Sequence, residues 1–115
     1  MGDFSVIYQD GLATVRLPPR VDVTNTHTFV DTLQSELDVD HLHIILNFEE
    51  TQAIDSTALG ALVQLYKTLR AREGTLSLCN VGSGVKRVLA ITSVDRIFKI
   101  YDNLSSAHKA AAAQP

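Results

Sequence analysis

Two short apolar runs open the chain, FSVIYQ and LATVRL, and Asp10-Gly11 lies between them. A two-residue Asp-Gly segment between strand-like runs is a strong signal for a β-hairpin. Pro18 and Pro19 follow the second run. Because proline has no backbone N–H to give to a sheet, these residues are predicted to end the strand. The chain is therefore expected to begin with two antiparallel strands.

A helical period comes next, followed by a continuous apolar run. In VDVTNTHTFVDTLQSEL, Asp22 or Thr24 is the candidate N-cap of a first helix. Its apolar side chains at helical spacing are Phe29, Val30, Leu33 and Leu37. The run HLHIILNF is apolar at successive positions and ends before Glu49 and Glu50. Such a run is typical of an interior strand that is covered on both faces.

The second half of the chain continues this alternation. Residues from about 57 to 72 form a second helical pattern, and Gly74 is predicted to end it. Its core-facing side chains are Leu59, Leu62, Val63, Tyr66 and Leu69. The segments TLSLCNV, SGVKRVLAIT, RIFKIYD and NLSSAHKAAAA then predict a strand, a short helix, a short strand and a terminal helix. The order ββαβαβαβα predicts an α/β fold in which helices pack on a small mixed sheet, and 115 residues predict a single domain over 1–115.

Composition and charge narrow the classes of function. The formal net charge is −3 and the basic residues are scattered, which gives no basic patch for nucleic acid or anionic lipid. The single cysteine, Cys79, excludes an internal disulfide framework and a zinc site built on several cysteines, which favours the cytoplasm. No apolar run reaches the roughly 18–20 residues of a membrane span. We therefore expect a cytoplasmic, monomeric domain without a metal or a cofactor.

The segment QAIDSTALGAL places three polar residues, Asp55, Ser56 and Thr57, at the start of the second helix. About four backbone N–H groups at a helix N-terminus lack partners within the helix, so Asp55 or Ser56 can act simply as the N-cap. The same position also stabilises an added phosphate, because the helix dipole and the free amides favour negative charge. Ser56 is therefore a candidate phosphorylation site, and its capping role remains the alternative.

Four segments carry a resemblance to a known family, namely DSTALG, GTLSLCNV, VKRVL and DRIFKIYD. In this order and spacing they resemble the bacterial anti-sigma factor antagonists of the STAS (sulfate transporter and anti-sigma factor antagonist) domain family. Members of that family share an Asp-Ser-Ser/Thr-Gly-Leu-Gly segment, a long helix, an apolar strand and a Val-x-Arg-x-Leu helix. The resemblance spans most of the chain and implies the same α/β fold as the apolar pattern.

The resemblance also implies a regulatory role and no enzymatic activity. An unphosphorylated antagonist of this kind binds an anti-sigma factor that is also an ATP-dependent serine kinase, and so frees a sigma factor. Phosphorylation ends the binding, and a serine phosphatase restores it. By this resemblance Ser56 is the counterpart of the regulatory phosphoserine. The implied partner-binding residues are Asp22, Asp55, Ser56, Thr57 and Ala58, although Asp22 can also be explained as a helix cap.

Two residues depart from the family pattern. Ala58 stands where the family commonly has glycine, which favours the helix if the backbone is helical there and strains it if φ is positive. Pro19 stands at the glycine position of a segment that often reads Leu-x-Gly-x-Leu/Val-Asp in the family. Asp22 still matches that segment.

Other polar residues have simple structural explanations. Thr57 is a second possible phosphate acceptor, but hydroxyls in a first helical turn usually form local hydrogen bonds. Asn47 either positions the Ser56 loop or serves as ordinary turn chemistry at a strand end. His41 and His43 share a strand face without a third metal ligand, which favours ordinary imidazoles. The segment GSGVKR lacks the spacing of a phosphate-binding loop.

Two other classes of function are alternatives to an anti-sigma factor antagonist. A stand-alone STAS interaction module of a stress-signalling or lipid-transport complex has the same sequence features, but its serine need not be the switch. A small serine hydrolase that uses Ser56 is disfavoured, because the chain has no Gly-x-Ser-x-Gly elbow around this residue.

Overall fold

The computed structural model describes residues 5–9, 12–37 and 43–112. The chain opens with β1 (Ser5–Gln9) and β2 (Leu12–Arg16), which pair in antiparallel orientation. The two predicted opening strands are thereby confirmed. Asp10 and Gly11, where the sequence predicts a hairpin turn, lie outside the described residues.

The main sheet has five strands in the order β1-β2-β4-β6-β7. Its later strands are β4 (His43–Asn47), β6 (Thr75–Cys79) and β7 (Lys99–Tyr101), and each pairs in parallel with its neighbour. The central strand β4 is buried from Ile44 to Asn47. This burial confirms that the uninterrupted apolar run is an interior strand covered on both faces.

Four helices connect or follow these strands. They are α1 (Thr26–Leu37), α2 (Ser56–Ala71), α3 (Ser83–Ile91) and α4 (Leu104–Ala112). For the main sheet the observed order is therefore the predicted ββαβαβαβα. The fold is a mixed α/β domain, as the sequence pattern indicated.

The sheet separates two apolar layers of unequal size. Successive side chains of a strand point to opposite faces, so Ile44 and Leu46 enter one layer and Ile45 the other. The large layer receives side chains from α1, α2 and α3, among them Phe29, Leu33, Leu62, Leu69, Val85 and Leu89. On the opposite face, Ile45 and Cys79 pack with Ala107 of α4. Burial raises the pKa of the Cys79 thiol to about 11, and nearby Glu49 contributes less.

Helix α2 shows how its sequence pattern fills the larger layer. Leu59, Leu62 and Leu69 are buried, as the helical spacing predicted. Val63 and Tyr66 are partly buried against the same layer. The helix ends at Ala71, and Glu73 beyond it has a left-handed backbone, with φ 63°. Gly74 donates its N–H to the Leu69 carbonyl at 2.7 Å and so closes the last turn, in agreement with the prediction that Gly74 ends the helix.

Three short elements were not predicted from the sequence. The strands β3 (Arg20–Val21) and β5 (Ala53–Ile54) form a separate two-stranded parallel sheet. A 3-10 helix at Val94–Arg96 precedes β7. The observed last strand is therefore shorter than the predicted strand RIFKIYD. Two- and three-residue elements are too short for a hydrophobic period to reveal them.

Candidate functional site

The connection from β4 to α2 is held by backbone groups of the segment that follows β2. The Thr51 hydroxyl donates to the Pro18 carbonyl at 2.8 Å, and the Gln52 N–H donates to the Pro19 carbonyl at 2.7 Å. The pairing of β3 with β5 continues this attachment. Pro19 is one of the two departures from the family pattern. Its carbonyl oxygen accepts a hydrogen bond here, a role that does not need the backbone N–H that proline lacks.

Helix α2 is capped by Asp55. The Oδ1 atom of Asp55 accepts a hydrogen bond from the Ala58 N–H at 2.9 Å, which identifies Asp55 and not Ser56 as the N-cap. Ser56 is the first residue of the helix and is exposed. Its hydroxyl has no hydrogen-bond partner among the residues that the structure describes. The position thus leaves Ser56 open to chemical modification while Asp55 stabilises the helix.

Thr57 and Ala58 occupy opposite environments in the same helical turn. Thr57 is exposed, whereas the Ala58 side chain is 1% exposed and belongs to the core. Ala58 has helical backbone geometry, and its φ is not positive. The departure from glycine therefore causes no backbone strain. The Ala58 side chain faces the core and not the surface, and the place of Ala58 among the partner-binding residues stays a prediction.

The turn before α1 is organised by Asp22. Its Oδ1 atom accepts from the Thr24 N–H at 2.9 Å and also from the Thr24 hydroxyl. Helix α1 begins later, at Thr26, so Asp22 caps the preceding turn rather than the helix itself, and neither it nor Thr24 is the residue before α1. The Thr24 hydroxyl and N–H lower the pKa of Asp22, and the charge of Arg20 adds a smaller effect.

The Asp22 turn and the Ser56 end of α2 meet through the second oxygen of Asp55. The Oδ2 atom of Asp55 accepts from the Val23 N–H at 3.1 Å, and the Asp55 N–H donates to the Val21 carbonyl at 3.3 Å. The Val23 side chain is 67% exposed. A shallow depression beside this contact is lined by Arg20, Val21, Asp22, Ala53, Ile54 and Asp55. The structure therefore brings the predicted residues Asp22, Asp55 and Ser56 to one surface.

Asn47 acts in neighbouring turns. It is buried, and its Oδ1 atom accepts from the Glu49 N–H at 3.0 Å and from Asn80 Nδ2 at 3.1 Å. The side chain of Asn47 thus joins the loop after β4 to the loop after β6 by hydrogen bonds, which is an ordinary role for asparagine in turns. Arg16 adds an exposed ion pair with Glu49, at 3.4 Å, on the same edge of the sheet.

The histidine strand has a structural explanation as well. His43 Nδ1 lies 2.8 Å from the Thr75 hydroxyl across the β4–β6 pair. His41, its predicted neighbour on that face, lies outside the described residues. Over residues 5–9, 12–37 and 43–112, no group of three or more His, Cys, Asp or Glu side chains could hold a metal ion. In the same part of the chain, no helix combines the length and apolar character needed to cross a membrane.

Sequence reasoning missed Val23 and Asn80. Val23 is an apolar residue in a polar turn, and nothing in the local sequence indicates that its N–H meets a carboxylate 32 positions away. Asn80 has a left-handed backbone, with φ 55°, directly after β6. Asparagine tolerates that conformation better than most residues, so an Asn at a strand end was the available signal.

The fold and the site together define a small α/β domain with an exposed serine at a helix start. Residues 4–107 match the STAS domain, and the chain belongs to that family. By its family, the protein is a regulatory binding protein and not an enzyme.

Similar proteins have been described in Thermotoga and in Bacillus. A Thermotoga neapolitana protein described as an anti-sigma factor antagonist is 35% identical over 88 residues, 76% of this chain and 78% of the relative. A crystal structure of a Thermotoga maritima protein with the same description has a TM-score of 0.88 and 30% identity, covering 95% of this chain and 94% of that one. SpoIIAA of Bacillus in its phosphorylated form has a TM-score of 0.74 and 16% identity, covering 93% and 98%, and shares the fold.

Proposed function

We propose that the protein is an anti-sigma factor antagonist controlled by phosphorylation of Ser56. The unphosphorylated form binds an anti-sigma factor that is also a serine kinase, and this binding frees a sigma factor. The kinase transfers phosphate from ATP to the Ser56 hydroxyl, and the phosphorylated protein dissociates. A serine phosphatase then returns the protein to its binding form.

The observation that carries this proposal is the environment of the Ser56 hydroxyl. It is exposed, it lacks a partner among the described residues, and it stands at the first position of a helix that another residue caps. A kinase can therefore reach this oxygen without breaking a hydrogen bond or opening the core. The resemblance of DSTALG to the phosphoserine segment of the family supports the same residue.

The electrostatics of the site explain how one phosphate can end a protein complex. Phosphorylation adds about −1.5 to −2 charges at pH 7. Within this chain the positive end of α2 offsets part of the cost, so the fold is expected to survive. A partner seated over Ser56 must instead remove water from the phosphate and from Asp55 beside it. That desolvation is costly unless the partner supplies matching positive groups.

The relatives support the class of function. The Thermotoga proteins are described as anti-sigma factor antagonists, and a Paenibacillus polymyxa anti-sigma F factor antagonist is 34% identical over 61 residues. The phosphorylated structure of SpoIIAA is a precedent for phosphate on a protein of this fold.

The test compares Ser56→Ala with Thr57→Ala, its exposed neighbour in the same helical turn. Purified serine-kinase anti-sigma factors from the source organism are mixed with each variant, ATP and Mg²⁺, and intact mass is measured. We expect the wild type and Thr57→Ala to gain one phosphate and Ser56→Ala to gain none. Asp55 remains as the cap in both variants, so both should fold.

Two results would contradict the proposal in different ways. Phosphate on Ser56→Ala but not on Thr57→Ala would move the acceptor to Thr57. Absence of binding and of phosphorylation with every such kinase would favour the alternative, an interaction module of a stress-signalling or lipid-transport complex.

A further inference from the structure

Asp55 uses its two carboxylate oxygens for two different elements. Oδ1 accepts from Ala58 in the first turn of α2, and Oδ2 accepts from Val23 in the turn before α1. The second hydrogen bond joins residues 32 positions apart. A helix cap needs only the first bond, so capping leaves the second unexplained.

The second bond fixes the tip of a turn whose start is already anchored by the β3–β5 pairing and by the Asp55 N–H on the Val21 carbonyl. The Asp22 carboxylate bonds to Thr24, and the Asn25 side chain bonds to the Asp22 N–H and the Arg20 carbonyl. Val23 is an exposed apolar residue of this turn, with 67% of its surface accessible to solvent. Its N–H bond to Asp55 therefore fixes the tip of the turn relative to Ser56.

We propose that Asp55 is a positioning residue that joins the Val23 turn and the Ser56 end of α2 into one preformed docking surface for the anti-sigma factor. This inference rests on the proposed function. A surface already held in its bound arrangement loses less conformational freedom when a partner docks. Loss of the bridge should therefore weaken docking even when α2 remains capped.

Two substitutions separate the bridge from the cap. Asn and Ser are both good N-cap residues, so Asp55→Asn and Asp55→Ser should keep the hydrogen bond to the Ala58 N–H. Each has one acceptor oxygen in its side chain, and neither can also accept from Val23 through a second oxygen. Asp95→Asn is the matched control for charge, since Asp95 is an exposed residue of the 3-10 helix.

The free protein gives the first measurement, solvent exchange of individual amides by NMR. In the wild type and in Asp95→Asn, we expect the Val23 and Ala58 amides to be protected. In Asp55→Asn and Asp55→Ser, the Val23 amide should exchange faster while Ala58 stays protected. If Asp55 only stabilised the fold, its substitution would instead speed solvent exchange of both amides and lower the thermal midpoint. An unprotected Val23 amide in the wild type would overturn the bridge.

The second measurement is phosphorylation kinetics with the serine-kinase anti-sigma factor that modifies the wild type. Both Asp55 variants should raise KM by about three- to tenfold, with a smaller change in kcat, and Asp95→Asn should match the wild type. An unchanged KM together with a lost Val23 bond would overturn the positioning role. Failure of any such kinase to act on the wild type would overturn the proposed function, while the amide measurement would still decide whether the bridge exists.

Discussion

Ser56 and Ser83 occupy the same local position in two helices. Each is an exposed serine and the first residue of its helix, α2 or α3. The residue before Ser56 is Asp55, which caps α2 and reaches Val23, whereas Gly82 before Ser83 makes no side-chain cap bond. An exposed serine at a helix start is therefore not sufficient to define the candidate site, and the side-chain cap before Ser56 is part of the difference. The other part is the neighbouring turn that the preceding carboxylate holds beside it.

The two helix starts also share an edge of the structure. A Cβ atom added to Gly84 would lie 3.7 Å from the Gln52 carbonyl oxygen, in the loop that leads to Ser56. Ser83→Asp is therefore a control for Ser56→Asp, because it adds a charge near the same loop but outside the turn that Asp55 holds.

The largest expected effect is on partner affinity. Phosphorylated protein and Ser56→Asp should bind the anti-sigma factor at least about tenfold more weakly, since about 1.4 kcal/mol of desolvation cost already corresponds to a factor of ten. The affinity of Ser83→Asp should stay within about twofold of that of the wild type, because Asp55 holds the Val23 turn beside Ser56 and not beside Ser83. Isothermal titration calorimetry measures these affinities. The phosphorylated protein is the stricter test, since Asp carries a smaller charge than phosphate.

The same variants decide whether the switch acts at the surface or through the fold. A surface mechanism requires the thermal midpoint of Ser56→Asp to stay within a few degrees of the wild type. Equal weakening by Ser56→Asp and Ser83→Asp would remove the distinction between the two sites. Loss of circular dichroism in Ser56→Asp would show that unfolding, not surface charge, prevents binding.

A smaller effect is expected on stability. Asp55→Ala should lower the free energy of unfolding by about 1–2 kcal/mol, because it removes the cap of α2. Gly82→Ser should raise it by a few tenths of a kcal/mol at most, since serine caps slightly better than glycine and a Cβ there meets no atom within 4 Å. Urea unfolding followed by circular dichroism measures both. A destabilised Gly82→Ser would mean that α3 needs glycine before it.

The smallest effect concerns pH. The pKa of Asp22 is lowered in the folded protein from 3.8, chiefly by the Thr24 hydroxyl and N–H. A lowered folded pKa means that the contribution of Asp22 to stability is present above its ordinary pKa and is lost as pH falls through the folded value. The Thr24 amide resonance should therefore titrate with a midpoint below 3.8, whereas the Ser83 amide should show no transition of that origin. A midpoint at or above 3.8 would contradict the hydrogen-bonded turn.

Regular elements could be predicted from the sequence because their signals are local. The apolar run of β4 and the helical period of α2 each repeat over several residues, and burial of Ile44 and Leu62 follows from them. The position of Ser56 at a helix start depended on the same period. The resemblance and the expected end of the sheet placed Asp22 and Asp55 near each other, but the contact between the two residues depends on how two loops pack.

The missed features depend on contacts between distant residues. The strands β3 and β5 exist because Arg20–Val21 pairs with Ala53–Ile54, and neither pair has a period of its own. The bond from Val23 to Asp55 is equally remote in sequence. The left-handed backbone of Glu73, just beyond the end of α2, had no signal in the sequence, since glycine accepts that conformation more readily.

The attachment of the Ser56 loop has an evolutionary consequence. Several of the contacts that hold it are made by the main chain, including the Gln52 N–H on the Pro19 carbonyl and the pairing of β3 with β5. Main-chain contacts of this kind do not depend on which side chains the paired residues carry. Exposed positions such as Arg20 and Gln52 are therefore free to diverge after gene duplication. The side chains at this surface can in this way change while the backbone that holds the loop stays the same.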